Sequence, residues 1–290
     1  MRKHLLLTIF CLSFGFGFAQ REATYSYSLD KDIKASAPLS SRGGTIALQS
    51  SKTKKSLIVQ IGATVQRFAL PTLEDAPEGS LVLGDLLVED FDFDGFNDVG
   101  IPSGIGYGGV NVFYQIQRYN PKTKRLELLE GKDFEVSNPG FDPKNKILFS
   151  SARSGPAWYG TQYKFLGGKP YRLKSEDPVV LIGFPKRETL MYQTTTYNSK
   201  GQVISTELNE QNAKGGTVPV FRAIVSAKAD LYSAPNDNAK TGRYIVRNDV
   251  VRVLELQKPT IVPEEVQWAK VAYLSQKLGR IVAWLRLVSQ

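Results

Sequence analysis

Apolar and polar residues alternate along most of this chain in short runs, and turn-forming residues bound the runs. Residues 45–48, 56–61, 64–70, 111–119, 146–150 and 163–166 each read as strands, because a period of two sends one face of a pleated strand inward and the other to solvent. Asn120-Pro121-Lys122-Thr123, Asn138-Pro139-Gly140, Gly167-Gly168 and Asn198-Ser199-Lys200-Gly201 supply the turns between them. Residues 181–208 predict further sheet, with Tyr192-Gln193-Thr194-Thr195-Thr196-Tyr197 as a β-branched and aromatic strand. No window long enough for a helix holds a capped 3.6-residue period. The pattern predicts an all-β protein.

The first residues break this pattern. Arg2, Lys3 and His4 form a basic head, 5–18 is an uncharged apolar run, and Gly17 and Ala19 are small residues before a cut ahead of Gln20. That arrangement predicts a cleaved secretory signal over 1–19 and a periplasmic or secreted protein. The run is shorter than the roughly 20 apolar residues of a spanning helix. Polar Gln20-Arg21-Glu22 follows at once, so a transmembrane protein is not expected. Phe10, not a small residue, precedes Cys11, which argues against a lipid anchor.

Cleavage removes the chain's one cysteine, Cys11, and its one histidine, His4. The remaining chain can then build no disulfide, thiolate nucleophile, Cys/His zinc site or Ser-His-Asp triad. An enzyme is not expected. The formal charge of +9 falls to +7 without Arg2 and Lys3, a balance that suits anionic wall polymers or lipid headgroups. Nucleic acid is a poor partner in that compartment. The polar, glycine-rich stretch Asn212-Ala213-Lys214-Gly215-Gly216-Thr217 predicts a linker, 212–220, between a first domain, 20–211, and a second, 221–290. The second carries eleven Lys or Arg against six Asp or Glu. In the first, nine acidic residues and no Lys or Arg lie between Ala69 and Gln117. A cation is wanted there.

Asp90-Phe91-Asp92-Phe93-Asp94-Gly95-Phe96-Asn97-Asp98 concentrates the candidate chemistry. Asp at the first, third, fifth and ninth positions with Gly at the sixth is the spacing of most of an EF-hand-type calcium loop. Carboxylates so close repel one another unless a hard cation sits among them, and the glycine lets the loop close around it. The predicted ligands are the side chains of Asp90, Asp92, Asp94 and Asp98 and the carbonyl of Phe96. Calcium is expected over magnesium, because a flexible, oxygen-rich loop suits a seven-coordinate ion. Leu86-Leu87-Val88 and Val99-Gly100-Ile101 flank the loop, which places it between strands; no glutamate completes it at the twelfth position. Phe91, Phe93 and Phe96 are expected to anchor it in a core. Gly104-Ile105-Gly106-Tyr107-Gly108-Gly109 reads as a flexible loop beside the metal site, since no strand-then-helix context with a lysine supports a phosphate cradle.

The order of this loop, then 114–129 with its Asn120-Pro121-Lys122-Thr123 hairpin, then Ser154-Gly155-Pro156-Ala157-Trp158-Tyr159, resembles periplasmic immunity proteins. Those proteins protect bacteria from peptidoglycan hydrolases injected by rivals, and they are similar to calcium-binding lysozyme inhibitors. The likeness spans residues 84–173. It implies a β-sandwich or propeller-like first domain and an inhibitory loop of Ser154, Gly155, Trp158 and Tyr159. Such a loop would place a hydroxyl between the paired carboxylates of a glycosidase cleft. Read from the residues alone, Trp158 and Tyr159 beside a glycine turn also suit a core.

Residues 221–290 resemble a bacterial SH3-like domain. The likeness is carried by Ala229-Asp230-Leu231-Tyr232-Ser233-Ala234-Pro235, by Tyr244-Ile245-Val246-Arg247-Asn248-Asp249-Val250, by Gln267-Trp268-Ala269-Lys270-Val271 and by Ala283-Trp284-Leu285. It implies a small five-stranded barrel that binds peptidoglycan. Tyr232 and Tyr244 are the residues placed to line a ligand groove, although packing within the module suits them as well. Trp268 and Trp284 are expected in its core. Together the two halves predict an exported calcium-binding protein that inhibits, or gives immunity against, a peptidoglycan hydrolase, with a wall-binding module. The alternative is a cell-wall-binding accessory protein whose calcium is purely structural. The partner is a hydrolase in the first case and a wall polymer in the second.

Overall fold

A computed structural model of the chain describes residues 21–29, 31–51, 56–70, 84–184, 191–211, 217–259 and 265–288. The expected signal segment lies outside them. The described residues form a nearly all-β structure, 66% strand in antiparallel sheets, with two short 3-10 turns and no α-helix. No helix among them is long and apolar enough to cross a membrane. The chain divides into two compact units. One is Gln20–Asp177 with Thr194–Ser205, and the other is Pro178–Gln193 with Thr206–Gln290.

The first unit holds β1 (Tyr25–Tyr27), β2 (Ile33–Pro38), β3 (Thr45–Ser51), β4 (Ser56–Ile61), β5 (Thr64–Ala69), β6 (Leu86–Glu89) and β7 (Asp98–Gly106). It continues with β8 (Asn111–Asn120), β9 (Arg125–Leu128), β10 (Val136–Ser137), β11 (Gly140–Asp142), β12 (Ile147–Ser154), β13 (Ala157–Leu166) and most of β14 (Lys169–Val179). Strands β2 to β5 form a meander, β1-β6-β7-β8-β10 a second sheet with β9 on β8, and β11 to β14 pair in sequence order. Alternate residues of the meander, Ile46, Leu48, Leu57 and Val59, share a core with Leu86, Val88, Val99 and Ile101 of the second sheet. Leu87, out of phase with its neighbours, packs instead with Phe91, Ile116, Phe141, Leu148 and Tyr163. Strand β6 is thus buried on both faces, and it therefore reads as an apolar run rather than an alternation. Gly100 of β7 allows this packing. A Cβ there would come within 2.9 Å of the Phe91 ring.

The second unit contains β17 (Thr217–Ala223), β18 (Lys228–Tyr232), β19 (Lys240–Val246), β20 (Val250–Leu256), β21 (Val266–Ser275) and β22 (Gly279–Val288), while β15 (Met191–Tyr197) and β16 (Val203–Gln211) contribute residues to both units. Its core is largely aliphatic: Val220, Leu231, Ile245, Val251, Val253, Val271 and Leu285 are joined by Val179, Ile182, Phe184 and Met191. Gln267 Nε2 donates to Val180 O at 2.9 Å, and Leu256 N donates to Gln193 Oε1 at 2.6 Å. This unit therefore starts well before the expected linker. Residues 217–220 of that linker are strand, paired with β16 through Gln211↔Thr217 and Asn209↔Pro219; 212–216 lie outside the described residues.

Two expectations for this module are corrected. The order β17-β20-β21-β22-β18-β19 is a path with two ends, not a closed barrel. Strand β17 runs along β20 through Val220↔Val253 and Phe221↔Arg252, and so takes the edge that closure needs. Trp268 and Trp284 are not core residues. Strand alternation puts both on the face opposite buried Ala269, Val271 and Leu285. Each is half-buried, and Tyr232 meets Trp268 edge-on at 4.9 Å between ring centroids.

Candidate functional site

The acidic loop is the connection of the β6–β7 hairpin, closed by the pair Glu89↔Asp98. Its flanks are strands, as the sequence predicts. Asp90 organises the turn: Oδ1 accepts from Asp94 N at 3.0 Å and Oδ2 from Gly95 N at 2.9 Å. Gly95 has φ of +95°, which a side chain would strain. Asp98 is fully buried and accepts from Phe91 N at 3.0 Å and Tyr119 N at 2.8 Å. The phenylalanines anchor the loop as expected. Phe91 packs edge-on against Phe141 at 5.1 Å, Phe93 against Phe165 at 6.2 Å, and Phe96 lies 5.4 Å from Tyr119. Asn97 ties the loop to the meander, its N donating to Leu39 O at 2.7 Å and its Nδ2 to Pro38 O at 2.9 Å.

Of the five expected ligands, Asp90, Asp92 and Asp98 bring carboxylate oxygens within 4.8 Å of one another. Asp94 is turned elsewhere, accepting from Phe96 N at 2.9 Å and pairing with Arg118 Nη2 at 3.2 Å. Arg118 of β8 was not apparent as a site residue from the sequence. Its Nε lies 2.5 Å from Asp92 Oδ2, yet both atoms are buried without an aligned hydrogen bond. Asp92 thus has a desolvated oxygen held only by an ionic contact. The turn Gly167-Gly168 makes room for this arginine, since a Cβ on Gly168 would fall 2.4 Å from Arg118 Nη1. Glu89 is claimed separately by Arg21, whose Nη1 and Nη2 lie 2.5 and 2.9 Å from its two oxygens.

These contacts divide the carboxylates electrostatically. Burial pushes Asp92 up to about 6, and neighbouring Asp94 adds to the shift against the pull of Arg118. Burial, then Asp92, carries Asp98 well above the usual carboxylate range, and burial also raises Asp90. Burial works the same way on Glu89, but hydrogen bonds from Arg21 and Thr24 outweigh it and leave that group low. The three raised groups are the three that converge. An oxygen-only donor set in which one arginine faces several crowded carboxylates fits a hard cation.

The expected inhibitory loop is the tip of the β12–β13 hairpin, a two-residue turn closed by Ser154↔Ala157. Gly155, with φ of +59°, stands at the first central position, where such turns require a positive φ. Ser154 is exposed. Trp158 and Tyr159 are half-buried and, as consecutive strand residues, leave opposite faces of β13. They therefore do not form one surface with each other. The residue that does join the tip is Tyr107, 48% exposed, whose hydroxyl donates to Gly155 O at 2.7 Å. Arg153 Nε donates to the same carbonyl at 3.2 Å, and its guanidinium carbon lies 5.3 Å from the Tyr107 ring centroid. The reading of 104–109 as a loop beside the metal site is corrected. Gly104-Ile105-Gly106 belong to β7 and Tyr107–Gly109 form a 3-10 turn at its far end. Eight strand steps from Asp98 put that turn ~26 Å away.

Comparison with protein-family models, with curated proteins and with solved structures finds no match.

In the second unit, Tyr244 is 55% exposed, with Lys228 Nζ 4.7 Å from its ring centroid, while Tyr232 packs on Trp268. The two tyrosines stand on paired strands but are not opposite each other: Asp230 faces Tyr244 and Lys240 faces Tyr232. A groove of about 700 Å³ in the first unit, lined by Tyr114, Leu128, Phe134, Lys169 and Pro170, includes none of the expected site residues.

Proposed function

We propose that this chain is an exported, calcium-stabilised β-protein whose Ser154–Gly155 turn blocks the cleft of a peptidoglycan hydrolase. The observation that carries this reading is the construction of the turn. An exposed serine sits at a hairpin tip whose glycine carbonyl is held by both Tyr107 and Arg153. A loop ordered before binding loses little entropy on entering a cleft. Glycosidase clefts flank the scissile bond with two carboxylates, to which a serine hydroxyl can donate. Export is supported by the basic head and apolar run of 1–19. The three converging aspartates and the buried Asp92 oxygen that no hydrogen bond satisfies support the metal, and the Asp-x-Asp-x-Asp-Gly spacing supports calcium.

The layering of the first unit, with β6 buried on both faces, favours a sandwich-like arrangement over a propeller. The exposed Lys240, Arg243, Tyr244 and Arg247 along β19 and its turn favour the second unit as the wall-binding module. Their charge complements anionic wall polymers.

The test is inhibition of a panel of lysozymes and related peptidoglycan glycosidases by the calcium-loaded protein, comparing wild type with Ser154→Ala and Tyr107→Phe. Stoichiometric inhibition that weakens in both variants supports the proposal. If no enzyme is bound at micromolar protein while the chain sediments with peptidoglycan, the accessory wall-binding reading replaces it.

A further inference from the structure

The β21–β22 hairpin of the second unit ends in a tip that nothing among the described residues covers. Leu274 is 76% exposed and Leu278 65% exposed. Leu274 is paired directly with Arg280, so the two share one sheet face, and Val282 and Val250, 48% and 54% exposed, lie on that same face. The tip is ordered. Ser275 Oγ accepts from Lys277 N at 3.3 Å and Leu278 N at 3.2 Å, and Gly279 takes φ of +69° to close the turn. Across 266–288 the chain has four cations, Lys270, Lys277, Arg280 and Arg286, and no carboxylate. Lys277 and Arg280 have no ion-pair partner among the described residues.

We infer that this hairpin tip docks on an anionic lipid surface, with Leu274 and Leu278 entering the headgroup–acyl boundary and Lys277 and Arg280 meeting the phosphates. Exposed aliphatic side chains interleaved with unpaired cations match such a surface on both counts. Sugar polymers fit less well, because the tip offers aliphatic side chains rather than the aromatic faces and paired hydrogen-bonding groups that hold a glycan. A second copy of the chain fits less well too. A two-fold contact would set this all-cationic hairpin against itself. The inference concerns residues apart from the acidic loop and the Ser154 turn, and it stands or falls separately from them.

The test is co-sedimentation with vesicles of neutral lipid alone and with about one third anionic phosphatidylglycerol. Both the full chain and a form beginning at Gln20 are used, so that the apolar leader cannot supply the binding. The expected result is binding to the anionic vesicles that weakens with salt. Leu274→Ser with Leu278→Ser should lower it about tenfold or more, and Lys277→Gln with Arg280→Gln should remove the preference for anionic lipid. All four side chains are exposed, so unchanged melting curves establish that the variants remain folded. Equal vesicle binding by wild type and both variants overturns the inference. So does an absence of vesicle binding accompanied by leucine-dependent dimers or leucine-dependent sedimentation with peptidoglycan; those results would reassign the face to self-association or to wall polymer.

Discussion

At the scale of single residues, Arg118 already holds the carboxylate that the proposed cation would need, so the two would compete for Asp92. Coulomb attraction between Arg118 and Asp92 lowers the charge available to a metal, and the guanidinium must loosen its grip for Asp92 to become a ligand. Arg118→Gln is therefore expected to tighten calcium binding roughly tenfold while lowering stability in chelator, because Asp92 and Asp94 lose their counter-ion. Isothermal calorimetry and melting curves read the two effects; unchanged affinity would mean that Arg118 is not in competition. The sequence signals the need for this residue without identifying it. The span from Ala69 to Gln117 has no cation, and Arg118 is the next residue, but only the pairing of β7 with β8 brings it over the loop. The three phenylalanines were legible as anchors because their alternation with the aspartates leaves them no other place. Trp268 and Trp284 were not. Their size suggests a core, but the core side of their strands is already filled by small and aliphatic residues, and their parity puts them outside.

At the scale of elements, the hairpin tip at Ser154 and the turn at Tyr107 act as one unit although they lie 47 positions apart in the chain. Removing the tyrosine hydroxyl leaves Gly155 O held by Arg153 alone. Tyr107→Phe is expected to cost about 0.5–1.5 kcal/mol locally and to speed amide exchange over 154–157, with the global melt nearly unchanged. Equal exchange in both proteins would separate the two turns. Strands were the most legible feature of the sequence, because alternation and turn residues are local signals. Residues 45–48, 56–61 and 64–70 fall within β3, β4 and β5, apart from Leu70 just beyond the last. Pairings between distant segments leave no local signal. For that reason the glycines of 104–109 read as a loop although three of them or their neighbours extend β7, and the expected linker concealed the start of β17. Barrel closure was misread for the same reason, since the likeness of strands β18 to β22 carries no information about β17 on the edge of β20.

At the scale of the molecule, burial of the acidic loop's carboxylates makes stability depend on pH and, under the calcium proposal, on metal. Asp92 titrates at about 6 in the folded chain against roughly 3.9 when unfolded. Its raised value means that the folded state holds a proton the unfolded state has released. The contribution is fully present below about pH 4 and is lost as pH rises through about 6, on the order of 3 kcal/mol. Melting temperature in chelator should therefore fall over that window, and Asp98, which burial also raises, adds to the decline in the same direction. With calcium bound the carboxylates no longer need protons, so the gap between the calcium and chelator curves should widen as pH rises. A gap that stays constant with pH would place the titrating groups outside the metal site. The most direct test of the calcium assignment is a calorimetric titration of calcium into chelator-stripped protein near neutral pH, run beside Asp92→Ala. One saturable site per chain in the wild type, lost in the variant, is the predicted result; a flat wild-type isotherm with identical melting curves in calcium and in chelator would contradict it.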